Sequence, residues 1–189
     1  YKHVLVSTLS ANTAAGPIQP IGELGKLCRE RGIFFHSDAV QGVGKLPIDV
    51  EAMHIDLLSL TAHKLYGPKG CGALYVRSKN PRVRLAPQMD GGGHERGMRS
   101  GTLNVPGIAG FGKAAELCRL EMTADAERLG KLRDYLNDKL HKSLGEIYIH
   151  RSMETRLPPH LHITFADARG DTLTTGLNCA AGPSAAAST

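Results

Sequence analysis

Short apolar runs alternate with segments of helical periodicity over the first 76 residues of this 189-residue chain. The pattern predicts strands at Val4–Leu9, Ile33–His36, Asp56–Leu60 and Gly72–Val76, a helix at Ile21–Arg31 and a brief helical stretch at Val50–Met53. Strands that alternate with helices form mostly parallel sheets covered on both faces, and their catalytic residues lie at the carboxyl ends of the strands. The predicted fold class is therefore α/β.

The second half of the chain predicts two amphipathic helices and a smaller module. The first helix places apolar residues from Ile108 to Cys118 on one face, and the second runs from Leu129 to about Leu144; both faces are predicted to be core. Strands are expected at Ile147–Ile149 and Leu161–Phe165. We expect a first domain over residues 1–122 and the start of a small α+β domain over 123–189, which ends in a flexible small-residue tail.

Composition excludes several classes of protein. Hydrophobic residues make up 41% of the chain and charged residues 22%, as in ordinary globular proteins. The net charge of +5 favours anionic ligands such as phosphates but is too small to indicate nucleic acid. No apolar run reaches the length of a membrane span. The four cysteines lack metal-binding or disulfide spacing, which favours a reducing compartment.

Two candidate catalytic residues follow neighbouring predicted strands. Asp38 comes just after the strand that ends at His36, and Lys64 occupies the equivalent position after the strand that ends at Leu60. Such a pair suits pyridoxal phosphate, because a lysine forms a Schiff base with its aldehyde and a carboxylate keeps its pyridine nitrogen protonated. Spacing alone leaves the alternative of a surface lysine and a turn aspartate.

A glycine-rich segment, GGGHERGMRSGT at 91–102, is the third candidate feature. Its glycines allow the backbone to approach an anion, its arginines add positive charge, and Thr102 offers a hydroxyl. It matches neither the P-loop pattern nor the dinucleotide-binding glycine pattern, and it lacks the second histidine of a zinc protease motif. A flexible glycine loop is the alternative interpretation.

Three long motifs together resemble one enzyme family. HSDAVQGVGKLPIDV at 36–50, SLTAHKLYGPKGCGALYVR at 59–77 and the glycine-rich segment at 91–102 closely resemble the cysteine desulfurases. These are the NifS- and IscS-like members of the fold-type I, class V pyridoxal phosphate enzymes. The similarity runs from about Val4 to Phe165 and covers the middle of a family member, which is roughly twice as long.

The resemblance implies a role for each matching residue. Lys64 is the Schiff-base lysine, Asp38 the partner of the pyridine nitrogen, and Gln41 the hydrogen-bond partner of the phenolic oxygen of the cofactor. Thr61 and His63 match positions that hold the phosphate within the same subunit.

Thr102 matches a position that reaches the phosphate in the other subunit, so the resemblance implies a homodimer. Two residues beside these motifs, His36 and Cys71, are expected to serve in packing. Cys28 and Cys118 are predicted to be core residues on helical faces.

The implied reaction removes sulfur from L-cysteine and leaves L-alanine and a protein persulfide. The sulfur then passes to iron–sulfur scaffold or tRNA-modifying proteins, in the cytoplasm or the mitochondrial matrix, with no membrane or direct nucleic-acid partner. Selenocysteine lyase or another class V lyase is one alternative function. A non-catalytic homologue that acts as a binding or scaffold protein is the other.

The chain departs from the family pattern at two positions that matter for chemistry. NTAAG at 12–16 replaces the family's NNEIG or NNETG, so Thr13 stands where an asparagine donates to the cofactor; the shorter threonine would donate through a water. Cys179 lies in GDTLTTGLNCAAGPS, which differs from the family's SSGSACTS loop, and is the candidate persulfide carrier.

The resemblance also places two functional residues outside this stretch of sequence. The histidine that stacks on the cofactor ring would precede Tyr1, and the arginine that binds the substrate carboxylate would follow Thr189. We therefore expect the 189 residues by themselves to have little or no desulfurase activity.

Overall fold

A computed structural model describes residues 4–12, 14–150 and 152–166. Its strands and helices are β1 (Leu5–Leu9), α1 (Ile21–Glu30), β2 (Phe34–Asp38), β3 (Leu57–Thr61), β4 (Gly72–Val76), α2 (Val105–Ser143), β5 (Ile147–Ile149) and β6 (Ile163–Phe165). Single 3-10 turns lie at Ala62–Lys64 and Glu95–Gly97. The strands agree with the predicted ones to within one or two residues at either end.

Strands β1 to β4 form one sheet in chain order. β1 pairs with β2, and β2 with β3, in parallel, whereas β4 is antiparallel to β3. The antiparallel pair follows from the short connection between β3 and β4, since a parallel strand needs a longer crossover. The predicted α/β class with a mostly parallel sheet is confirmed.

The core of the sheet lies on the side of β2 that carries Phe35 and Ser37. Both residues are fully buried, and Phe35 packs in one cluster with Ile21 and Cys28 of α1. Burial alternates along β2, so His36 and Asp38 belong to its other face and are half-buried. The prediction that Cys28 is a core residue is confirmed.

A buried ion network fixes the chain just before β3. Asp56 accepts hydrogen bonds from the backbone N–H of Phe35 at 2.9 Å and from Arg29 at 3.1 Å. Arg77, which is 3% exposed, lies 3.1 Å from Asp56 and donates to the carbonyl oxygens of Val50 and Ile55. These bonds connect the end of β4 to the loop that precedes β3.

The helical stretch predicted at Val50–Met53 is wrong, because residues 50–54 form turns. The Asp49 carboxylate accepts from the backbone N–H groups of Glu51 and Ala52, and the chain enters β3 only a few residues later. Side chains of this type stabilise turns in competition with a helix, and so short a segment cannot recover the cost of helix nucleation.

The two helices predicted between Ile108 and Leu144 are one continuous helix, α2. The intervening residues 119–128 contain no glycine or proline and include strong helix formers, so nothing breaks the helix between the two apolar faces.

The prediction that these faces are core is also wrong. Only Gly107 and Ala114 of α2 are buried, whereas Ile108, Leu132 and Leu136 are 46%, 55% and 50% exposed. Cys118 is half-buried rather than core. Two small residues of α2 lie against glycines of the preceding loops, Ala114 at Gly67 and Cys118 at Gly44.

The described residues divide into two compact units. The first contains those of residues 1–10 and Gln19–Met122, and the second contains those of Ala11–Ile18 and 123–189. In the second unit, β5 and β6 form an antiparallel pair. Its segment Ala11–Ile18, which lies within the range expected for the first domain, pairs with the chain near Arg156 through an isolated bridge at Pro17.

Neither described helix has an 18-residue stretch apolar enough to serve as a membrane span.

Candidate functional site

The carboxyl ends of β2 and β3 form the candidate site. Asp38 is the last residue of β2, and the parallel register pairs it with Ser59 of β3. β3 ends at Thr61, and Lys64 closes the 3-10 turn that follows directly. Parallel strands end at the same edge of a sheet, so Asp38 and Lys64 both belong to the carboxyl edge of this one.

Asp38 is half-buried, and one of its carboxylate oxygens stabilises the turn after β2. Its Oδ1 accepts a hydrogen bond from the backbone N–H of Val40 at 3.0 Å. A carboxylate offers about four acceptor positions, so this turn bond is compatible with a second, ligand-binding role for the same side chain.

His36 connects three strands below this edge. One ring nitrogen, Nδ1, lies 2.7 Å from the hydroxyl of Ser7 on β1, and the other, Nε2, lies 2.8 Å from the hydroxyl of Ser59 on β3. The sequence interpretation gave His36 a packing role. In the structure it is a hydrogen-bonding link across β1, β2 and β3.

Thr61 and His63 interact with each other at the end of β3. The Thr61 hydroxyl donates to the carbonyl oxygen of Cys71 at 3.1 Å and lies 3.0 Å from Nδ1 of His63. Because a hydroxyl has one proton, His63 is the donor in the second bond when Thr61 donates in the first. His63 and Lys64 are both exposed. Cys71 itself is buried, as packing requires.

Gln41 is bound by a lysine that sequence analysis did not single out. The Lys45 ammonium donates to the side-chain oxygen of Gln41 at 3.0 Å and to its backbone oxygen at 3.3 Å. Burial lowers the pKa of Lys45, the positive charge of Lys64 lowers it further, and Cys118 has a smaller opposite effect. Lys45 therefore bonds to Gln41 and also lies close enough to Lys64 for the two positive charges to repel each other.

The loop that carries Gln41 and Lys45 packs tightly against the residue that follows Lys64. Gly44 has a φ of +77°, and a Cβ there would lie 2.5 Å from Leu65 and 3.0 Å from the sulfur of Cys118. Only glycine fits this position. The close approach explains why the two lysines, distant in sequence, lie near each other.

The glycine-rich segment at 91–102 is exposed along nearly its whole length. Its internal bonds include those from the N–H of Gly93 to Ser100 and from the N–H of Gly101 to His94. Thr102 is described and exposed, and no hydrogen bond among the described residues joins it to the carboxyl edge.

Two predicted site residues, Thr13 and Cys179, lie outside the described residues. No group of three or more metal-binding side chains is placed to hold a metal ion within the described ranges.

Curated relatives with high identity share one name. The chain is 57% identical over 170 residues to "Cysteine desulfurase IscS" of Anaeromyxobacter sp. (strain K), and that alignment covers 90% of this chain and 42% of the relative. It is 49% identical over 170 residues to the protein of the same name from Rickettsia rickettsii (strain Iowa), covering 90% and 41%. The chain thus spans about two fifths of the length of these relatives.

Solved structures share its fold. A protein described as "NIFS-LIKE PROTEIN" superposes with a TM-score of 0.85 at 39% identity, over 92% of this chain and 47% of that one. DndA from Streptomyces lividans superposes with a TM-score of 0.80 at 34% identity, over 91% and 48%. The family model described as "Aminotransferase class-V" matches residues 1–182, so this chain belongs to the class-V aminotransferase family.

Proposed function

We propose that the protein is a pyridoxal phosphate-dependent cysteine desulfurase, which removes sulfur from L-cysteine and releases L-alanine. Cysteine desulfurases of the class-V family use this cofactor. The observation that carries the proposal is the placement of Asp38 and Lys64 at the ends of neighbouring parallel strands. The relatives named cysteine desulfurase support the choice of substrate.

The residues at the carboxyl edge fit the cofactor. Pyridoxal phosphate carries an aldehyde, a pyridine nitrogen, a phenolic oxygen and a phosphate. The edge offers an exposed amine at Lys64, a half-buried carboxylate at Asp38, an amide at Gln41, and a hydroxyl with an imidazole at Thr61 and His63. Each chemical group of the cofactor thus has a partner of suitable type.

Each of these side chains would have a distinct task. Bound pyridoxal phosphate supplies a ring that withdraws electrons from the carbon next to the substrate amino group. Lys64 would bind the aldehyde carbon through Nζ and, once displaced by substrate, move a proton. Asp38 would hold a proton on the pyridine nitrogen, and Gln41 would donate to the phenolic oxygen. Thr61 and His63 would bind the phosphate.

Sulfur transfer requires a nucleophilic thiolate, for which we propose Cys179. Its thiolate would attack the sulfur of the bound cysteine; the new S–S bond forms as the carbon–sulfur bond breaks, and the remaining carbon takes a proton to give alanine. The persulfide sulfur would pass to an iron–sulfur scaffold or a tRNA-modifying protein. Thr102 and Thr13 are proposed as further cofactor contacts, Thr102 across a homodimer and Thr13 through a water.

We place this activity in the cytoplasm, or in the mitochondrial matrix if the protein is eukaryotic. The alternative functions are a selenocysteine lyase or another class V lyase, and a non-catalytic homologue. Two sequence features favour the non-catalytic one: Thr13 in NTAAG, in place of the family asparagine, and the altered loop that contains Cys179.

Trapping of the cofactor on one lysine tests the proposal. The purified protein is incubated with pyridoxal phosphate and reduced with borohydride, and the modified lysine is identified by peptide mass spectrometry. We expect the label on Lys64 and its loss in Lys64→Ala, because Lys64 is the exposed amine at the carboxyl edge. Lys26→Ala, which removes an exposed lysine of α1, serves as the control and keeps the label.

Lys45 is the informative competitor in this experiment, since it lies near Lys64 and has a lowered pKa. A label on Lys45 in the unmodified protein would contradict the assignment of Lys64. No label on any lysine would favour the non-catalytic homologue, and competition between cysteine and selenocysteine as substrates would separate the two lyase functions.

A further inference from the structure

We propose that Lys45 is a positioning residue that sets the orientation of the Gln41 amide, so that the amide N–H donors face the cofactor. This inference rests on the proposed function, because it assigns a direction to one of its cofactor contacts. It concerns a lysine for which neither the motifs nor the family resemblance supplies a role.

The contact between the two side chains is direct. Nζ of Lys45 lies 3.0 Å from Oε1 of Gln41 and 3.3 Å from the backbone oxygen of the same residue. Both side chains are half-buried, so water competes less for these bonds than it would at a fully exposed site.

The chemistry of the two groups determines which end of the amide faces the lysine. An ammonium has three donors and no acceptor, whereas an amide has an acceptor oxygen at one end and two N–H donors at the other. The oxygen of Gln41 must therefore face Lys45, and the NH2 group is turned to the other side. Without the lysine, the two orientations of the amide differ much less in energy.

The surroundings hold Lys45 in this position. Gly44, directly before it, packs against Leu65 and Cys118 so closely that a Cβ would not fit. The charged or titratable groups that act on the Lys45 ammonium are Lys64 and Cys118. The Gln41 oxygen partly compensates for the repulsion from Lys64, because it accepts from Lys45.

The orientation matters because a phenolic oxygen that carries negative charge needs a donor. An amide NH2 group stabilises it, whereas an amide oxygen in the same place would repel it. A donor on this oxygen also reduces its affinity for the proton it shares within the bound cofactor. Lys45 would thus act on the protonation of the cofactor through Gln41.

The experiment compares Lys45→Met and Lys45→Arg in the full protein, with Lys26→Met as the control for loss of a lysine elsewhere. Two quantities are measured: the dissociation constant of pyridoxal phosphate, by titration of the unloaded protein, and the pH midpoint of the visible absorbance of the bound cofactor. Neither requires turnover. Melting curves by circular dichroism establish that each variant folds.

We expect Lys45→Met to weaken cofactor binding about tenfold, the factor typical of losing one hydrogen bond to a charged oxygen. The pH midpoint should move upward, because the shared proton is held more tightly without the donor. Lys45→Arg, which keeps a cation that only donates, should remain within about threefold of the unmodified protein. Lys26→Met should leave both quantities unchanged.

A double-mutant cycle with Gln41→Ala distinguishes two ways in which Lys45 could act: by orienting the Gln41 amide, or by the direct effect of its positive charge on the cofactor. If Lys45 acts through Gln41, Lys45→Met should add little to the effects of Gln41→Ala. Equal effects of Lys45→Met with and without Gln41 would overturn the inference and indicate direct action of the charge. An unchanged midpoint and affinity in Lys45→Met would also overturn it.

Failure of the proposed function looks different. In that case the unmodified protein itself shows no visible cofactor band and no trapped lysine, so no variant has a midpoint to compare. Should Lys45→Met not fold, Lys45→Gln replaces it as the uncharged variant. Its own amide can face Gln41 either way round, so the same upward movement is expected.

Discussion

At the scale of single residues, Arg77 shows how a buried charge organises a loop. Its guanidinium donates to the backbone oxygens of Val50 and Ile55 and pairs with Glu51 at 2.6 Å, while Asp56 lies 3.1 Å away. A planar group with five donors can make these bonds at once, and lysine cannot. The Arg77 side chain at the end of β4 therefore binds the loop before β3 at several points.

We expect Arg77→Met to lower the free energy of unfolding by about 3 kcal/mol, because it removes a buried cation from beside the Asp56 carboxylate and the guanidinium donors from two backbone oxygens. Asp56 keeps its bonds to Arg29 and to the backbone N–H of Phe35. Urea unfolding followed by circular dichroism measures the change. The exposed Arg82 supplies the matched control, and Arg82→Met should change stability by no more than about 0.5 kcal/mol. Equal stability of the two variants would show that the network contributes little.

The positions of Asp38 and Lys64 at the carboxyl edge of the sheet could be predicted from the sequence, whereas their roles remain predictions. Asp38 and Lys64 follow apolar strands, and the rule that parallel strands end at one edge suffices to place them there. Lys45 was missed because its bond to Gln41 depends on the exact path of a tight loop, and the hydrophobic pattern contains no information about that path. The four-residue spacing of Gln41 and Lys45 directly after Asp38 was the available signal.

At the scale of elements, the strands were predictable and the helices less so. Continuous apolar runs bounded by turn residues identified β1 to β4 to within two residues. Whether α2 is one helix or two depended on the residues between its two apolar faces. These residues contain no helix breaker and no continuous apolar stripe, so the pattern did not show that the helix continues. Burial of those faces could not be predicted, since periodicity reports an apolar side but not the element that covers it.

The hairpin of β5 and β6 contains an element-scale feature that sequence did not indicate. The rings of His150 and His162 lie 4.6 Å apart, and His150 also bonds to Thr164 at 2.6 Å. The buried guanidinium of Arg156 donates to the backbone oxygen of His150. Burial lowers the pKa of His162, and the charges of His150 and Arg156 lower it further.

This arrangement makes the stability of the protein sensitive to acid. The unfolded chain takes up a proton on His162 near the ordinary pKa of 6.5, whereas the folded chain does so only at lower pH. The unfolded state therefore binds more protons as the pH falls below about 6.5, and the free energy of unfolding decreases. Above that pH, His162 is neutral in both states and does not change the free energy of unfolding.

We expect His162→Asn to reduce the loss of stability between about pH 7.5 and about pH 5.5, because asparagine does not titrate there. Urea midpoints at the two pH values measure it, and His141→Asn, at the exposed end of α2, controls for loss of a histidine. An identical pH dependence in His162→Asn and the unmodified protein would contradict this account.

At the scale of the whole molecule, these 189 residues correspond to about two fifths of the length of the curated cysteine desulfurases they match. They contain the proposed lysine, its acidic partner and part of the proposed phosphate site. The family resemblance places the ring-stacking histidine and the substrate-binding arginine outside them. Attachment of the cofactor to Lys64 therefore requires only residues of this chain, whereas ring stacking and substrate binding involve residues outside it.

We expect the isolated 189-residue chain to form alanine from cysteine at a small fraction of the rate of a complete relative, since substrate orientation contributes much of an enzyme's rate. Alanine and sulfide are measured with saturating pyridoxal phosphate, and borohydride trapping on Lys64 shows in parallel that the cofactor binds. Turnover comparable to that of the complete relative would refute this expectation.

The path of the chain between the two units has a consequence for biosynthesis. The pairing partners of segment Ala11–Ile18 around Arg156 emerge only after about 140 more residues have been added. At ribosomal speeds of about 5–20 residues per second, this segment waits about 7–28 s for those partners, while its neighbours in sequence can already fold. The second unit can therefore form only after the residues of the first have been synthesised, and a chain stopped at Met122 would contain segment Ala11–Ile18 without its partners around Arg156.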